Sequence, residues 1–143
     1  MCSKICRLTH QNIKPFGYIV DSRYARARSD GNDWGILLRS KSKGWRIGYL
    51  ILRKKRMARL EKHPDSLETF EPIKGKAVIA LARPGSPDKF KLFLLDRPVI
   101  LKKGVWHGLF TISKETHIKI FENIDVRCVY RHFSCSTQPH RVK

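Results

Sequence analysis

The chain has 143 residues, 41% of them hydrophobic, which suits one folded domain with a real core and is too short for two ordinary ones. No apolar run approaches the roughly 20 residues that span a bilayer, and the start MCSKICRLTH lacks the apolar core of a secretion signal, so the sequence predicts a soluble, cytoplasmic protein with no membrane partner. The 30 Lys and Arg against 12 Asp and Glu give a formal charge of +18, which attracts polyanions and makes nucleic acid a partner to weigh.

In chain order, residues 1–5 read as a flexible tail, and Thr9 caps a short helix to Ile13 that Pro15 and Gly17 end. Short β-rich runs follow at 15–20 (PFGYIV), 35–39 (GILLR) and 45–53 (WRIGYLILR), and Gly, Pro, Asp and Ser punctuate them. In the third run Trp45, Ile47, Tyr49 and Ile51 alternate with Arg46, Gly48, Leu50 and Leu52. Both faces are partly apolar, as in a strand between two layers. The basic stretch RKKRMARLEKH, 53–63, reads as a loop or irregular turn leading to the site. Further strands are predicted at 76–83, 90–95, 97–102, 117–121 and 126–131, with a second tail at 134–143. Strands at this density imply a sandwich or barrel. Cys2, Cys6 and Cys135 read as free thiols in the tails, and Cys128 as a small buried residue.

The chemistry gathers in LEKHPDSLETFEPIKG, 60–75, and KKGVWHG, 102–108. Residues two apart on a strand face the same way, so Glu61 and His63 point together. Glu68 returns after a turn, and His107 completes a set of four metal ligands. Mixed carboxylate and imidazole donors suit Mn, Fe, Co, Ni or Zn without singling one out. His107 and Glu68 double as candidate catalytic groups. Lys102 and Lys103 are candidate cations for a small anionic substrate, with Trp106 and Phe70 as apolar walls.

These spacings resemble the two cupin motifs. Glu61 stands where the first His is usual, Glu68 to Gly75 keeps the motif interval, and Gly104 to His107 reproduces the end of the second motif. The resemblance implies an all-β fold, the cupin-type double-stranded β-helix, an antiparallel jelly-roll barrel, preceded by the short helix. More narrowly, Leu60, Glu61, His63, Pro64, Phe70, Pro72 and Gly75, with Val105, Trp106 and His107, are similar to the ureidoglycolate lyase family of purine catabolism. That family cleaves ureidoglycolate to glyoxylate and urea, and the resemblance implies a homodimer. The family usually has Gln where Glu68 stands, and a His-Pro pair where Gly108 and Leu109 stand.

Two alternatives stand beside the lyase: a cupin that binds metal or a small ligand without this activity, and a basic nucleic-acid-binding β-barrel. The basic residues are scattered, from Arg23 through Lys54 to the tail, with no helix-turn-helix pattern and no aromatic pair at the spacing of a single-strand reader. That pattern describes a solvated basic surface.

Overall fold

The computed structural model describes residues 4–137. Its strands are β1 (Ile5–Arg7), β2 (Gly17–Ile19), β3 (Arg26–Ala27), β4 (Asp33–Trp34), β5 (Trp45–Leu52), β6 (Met57–Lys62), β7 (Glu68–Lys74), β8 (Ala77–Ala82), β9 (Lys91–Leu95), β10 (Val99–Leu101), β11 (Trp106–Thr111), β12 (Thr116–Asn123) and β13 (Val129–Thr137). One α-helix, α1 (His10–Ile13), opens on the predicted cap. Thr9 Oγ1 accepts from the Asn12 amide at 3.1 Å while Asn12 Oδ1 accepts from the Thr9 amide at 2.8 Å, a reciprocal box that closes both ends of the first turn.

Eight strands form the body, and their pairing is nested. The β8–β9 hairpin lies innermost, β10 pairs with β7, β11 with β6 and β12 with β5, all antiparallel. One long hairpin has rolled up, so its strands sort into two sheets, β9-β8-β11-β6 and β10-β7-β12-β5. This is the jelly-roll order of a cupin-type double-stranded β-helix. It places β6, β7 and β11, the carriers of the motif residues, in neighbouring positions of the two sheets. The shorter strands extend the edges: β1 lies parallel beside β9, β13 beside β6, and β2 beside β10.

The run AVIALA in β8 is buried along its whole length. Alternation sends Ala77, Ile79 and Leu81 into a cluster with Phe70, Phe93 and Leu95, and Val78, Ala80 and Ala82 into another with Leu60, Trp106 and Phe110. A strand with apolar cover on both faces needs no polar alternation, and none is present.

Several expectations are corrected. Residues 57–62 form a strand, because pairing with β11 on one side and β13 on the other overrides the basic local composition. GILLR, 35–39, forms no strand, β4 ending just before it at Trp34, and Ile36 and Leu38 are exposed. β5 is an edge strand rather than one between layers, with Trp45 68% and Tyr49 58% exposed. Ile5 and Cys6 belong to β1, and β13 runs on to Thr137 past the predicted start of the tail. Cys6 is half-buried and Cys128 is exposed, the reverse of the expected order. Cys2 and the side chain of Cys135 lie outside the described residues.

Candidate metal centre

Antiparallel register sets Glu61 of β6 opposite His107 of β11. His63 follows the end of β6, and its carbonyl accepts from the Gly104 amide at 2.9 Å, which ties the first motif to the turn before the second. Gly104 has φ +76°, a conformation that glycine adopts without strain. Glu68 opens β7, whose alternation turns Glu68 and Phe70 inward together.

The three side chains His63, Glu68 and His107 meet in a buried knot, each 6% exposed or less. Glu68 Oε2 lies 3.0 Å from His63 Nε2 and 2.9 Å from His107 Nε2. The two imidazole centroids are 5.1 Å apart, and Phe70 sits edge-on to His107 at 5.5 Å. Glu61 is half-exposed at the margin, with Oε1 3.6 Å from His107 Nε2.

Burial opposes charge on Glu68, yet His107 and His63 outweigh it and hold the carboxylate down at about 2. Burial likewise opposes charge on His107, and Glu61 and Glu68 overcome it to lift the imidazole to about 10. Glu61 is lowered, chiefly by its contact with His107.

His63, Glu68 and His107 form a set able to hold a divalent metal, since three ligand atoms lie within 4.8 Å of one another. Although only 2.9 Å separates them, Glu68 Oε2 and His107 Nε2 make no well-directed hydrogen bond, so two adjacent buried polar atoms are left without a hydrogen-bond partner. Two ligands at right angles, each about 2.1 Å from one ion, stand about 3.0 Å apart. The observed contacts match that separation. The second nitrogens are also engaged: His63 Nδ1 is 3.2 Å from the Arg127 carbonyl and His107 Nδ1 3.2 Å from the Val105 carbonyl, partners that fix the ring orientation.

A cavity of about 590 Å³ leads to this knot, lined by Leu50, Leu52, Met57 and Leu109, by Glu61 and His107, and by Arg53, Lys54, Arg56 and Arg59. The predicted substrate cations are not among them. Lys102 Nζ donates to the Lys14 carbonyl at 2.8 Å and lies over Tyr18, and Lys103 is exposed elsewhere. Trp106 is not a wall either. It points to the opposite face of β11 from His107, packs in the second core cluster and donates to the Pro84 carbonyl at 2.9 Å. Alternation along β11 explains this, because neighbouring residues cannot share a face. The basic residues of the cavity are not evident from sequence, where their local composition reads as a loop. Nor is the proximity of Cys128, whose Sγ lies 3.6 Å from His63 Nδ1.

No family model matches the chain, and no curated protein does. Among solved structures it is similar to procruciferin, an 11S globulin from Brassica napus, at 9% identity over 59% of this chain and 22% of that one, with a TM-score of 0.49. It is also similar to Bacillus subtilis oxalate decarboxylase, a protein with Mn(II) centres, at 17% identity over 63% and 24% of the two chains, TM-score 0.48. Another oxalate decarboxylase structure overlaps at 18% identity over 80% and 27%, again with a TM-score of 0.48. The chain thus spans only 22% to 27% of the length of these solved chains. The fold assignment stands on the nested strand pairing.

Proposed function

We propose that this chain is a metal-dependent carbon–nitrogen lyase that splits ureidoglycolate, or a related small hydroxy acid, into glyoxylate and urea. The observation that carries the reading is a buried His63, Glu68, His107 triad whose His107 lines a cavity together with four basic side chains. An anionic substrate enters such a cavity with its carboxylate drawn toward Arg53, Lys54, Arg56 and Arg59. A divalent ion held by His63, Glu68 and His107 would lower the pKa of a hydroxyl bound beside it.

The remaining work falls to the chain itself. Glu61 is ionised at neutral pH, borders the cavity and can accept the hydroxyl proton. As that O–H electron pair becomes the aldehyde carbonyl, the C–N bond breaks, and the departing urea nitrogen takes up the proton that Glu61 accepted. Phe70 walls the triad on its apolar side. The protein acts in the cytoplasm as a homodimer.

The test is urea release from ureidoglycolate by protein reconstituted with Mn²⁺, Fe²⁺, Co²⁺, Ni²⁺ or Zn²⁺ in turn. Turnover above the spontaneous rate is expected with at least one ion and is lowered by about two to four orders of magnitude in His107→Ala. No release with any ion sinks the lyase reading. A second reading, a metal- or small-ligand-binding cupin without lyase activity, is favoured by one observation: Lys102, Lys103 and Trp106 of the resemblance's second motif contribute nothing to the cavity.

A further inference from the structure

His63 has two ring nitrogens, and they face different ligand sets. Nε2 looks inward to Glu68 at 3.0 Å, while Nδ1 looks outward to Cys128 Sγ at 3.6 Å. Glu61, His63 and Cys128 offer ligand atoms that all lie within 4.8 Å of one another. Cys128 is exposed, just ahead of β13, and Glu61 is half-exposed, so an ion can reach this outer group from solvent.

The separations differ in kind from those of the inner triad. A thiolate about 2.3 Å and an imidazole nitrogen about 2.05 Å from one tetrahedral ion stand about 3.6 Å apart. The Sγ to Nδ1 distance has that value. The inner contacts of 2.9 and 3.0 Å are shorter and suit right-angled positions. Thiolate donors select soft ions, whereas carboxylate and imidazole alone suit harder ones.

We propose that Glu61, His63 and Cys128 form a second metal position on the outer side of His63, specific for a thiolate-seeking tetrahedral ion such as Zn²⁺. It competes with the inner triad for His63. A neutral imidazole has one lone pair and one N–H. With Nε2 as the ligand, Nδ1–H donates to the Arg127 carbonyl, 3.2 Å away, and the inner position fills. With Nδ1 as the ligand, Nε2 carries the proton 3.0 Å from Glu68 Oε2, it has no lone pair for an inner ion, and the outer position fills. The tautomer of one buried histidine thus decides which ion the protein keeps. This outer position does not depend on lyase activity, nor on the inner triad being filled.

Co²⁺ provides the probe, because a bound thiolate gives it an intense near-ultraviolet charge-transfer absorption. The wild-type protein titrated with Co²⁺ should show that band. Cys128→Ser should lose it, and Glu68→Gln, which cripples only the inner set, should keep it. Cys128→Ser should also weaken Zn²⁺ binding by at least about tenfold, as loss of a direct ligand requires, and leave Mn²⁺ binding nearly unchanged. Bound Co²⁺ without the band overturns the outer position and leaves the inner triad and the proposed reaction standing. A band that persists in Cys128→Ser comes from another cysteine and overturns it equally. No Co²⁺ uptake at all sinks both metal positions together.

Discussion

Held between two imidazoles, the Glu68 carboxylate stays ionised down to about 2 while His107 stays protonated up to about 10. The signs follow from linkage. His107, raised from its ordinary 6.5, contributes stability that is complete below 6.5 and lost as pH rises through about 10. Glu68, lowered from 4.5, contributes stability present above 4.5 and lost as pH falls through about 2. Both contributions are therefore full between pH 4.5 and 6.5 in the metal-free protein. A metal takes the neutral imidazole, so its uptake at pH 7 must displace the His107 proton, about one per ion from this residue. An indicator dye in weak buffer should register that release, and the rise in Tm on adding metal should grow from pH 5 to pH 8. Metal binding with no proton released would contradict the ion-paired state. Glu68→Gln keeps the shape but removes the charge. It should leave His107 easier to deprotonate and cut Mn²⁺ retained after dialysis by more than about tenfold, measured by elemental analysis.

At the level of single elements, β11 approaches β6 closely because Gly108 carries no side chain. A Cβ there would collide with Met57 Sδ and lie 3.0 Å from the Arg59 carbonyl oxygen. Gly108→Ala should force the two strands apart at the pair that aligns His107 with Glu61, costing about 1–3 kcal/mol and weakening metal binding as well. Gly85→Ala is the matched control, since nothing lies within 4 Å of its new Cβ. Equal melting temperatures for the two variants would show that the approach of β11 to β6 does not matter. The same strands show what sequence could and could not reveal. The spacing of Glu61, His63 and Glu68 was legible because the two-residue period and the Pro64–Ser66 turn are local features. β6 reads as a loop in the sequence because its basic side chains hide a pairing with β11, some 45 residues on. Cys128 was invisible as a neighbour of His63, because only the β13–β6 pairing brings it there.

For the whole molecule, the charge of +18 and the exposed edge of the second sheet pull in opposite directions. β5 has no strand beyond it among the described residues, and Trp45, Ile47, Tyr49 and Ile51 stand exposed along one face. An eight-residue edge with unpaired backbone groups and an apolar face invites a strand from another chain. Antiparallel pairing of β5 with itself gives an isologous contact that closes at two copies. Repulsion between two basic molecules is lessened at this edge, where Arg46 is paired with Glu122 at 2.8 Å and Arg53 with Glu115 at 3.1 Å. The remaining charge still opposes association, so the dimer should tighten as salt screens it. Sedimentation velocity should find a dimer that strengthens with added NaCl, and Ile47→Glu combined with Tyr49→Glu should return it to a monomer with its melting temperature little changed. A wild-type protein that sediments as a monomer in high salt rules out the β5 edge as a self-pairing face. A dimer that survives both substitutions places the second copy on another surface.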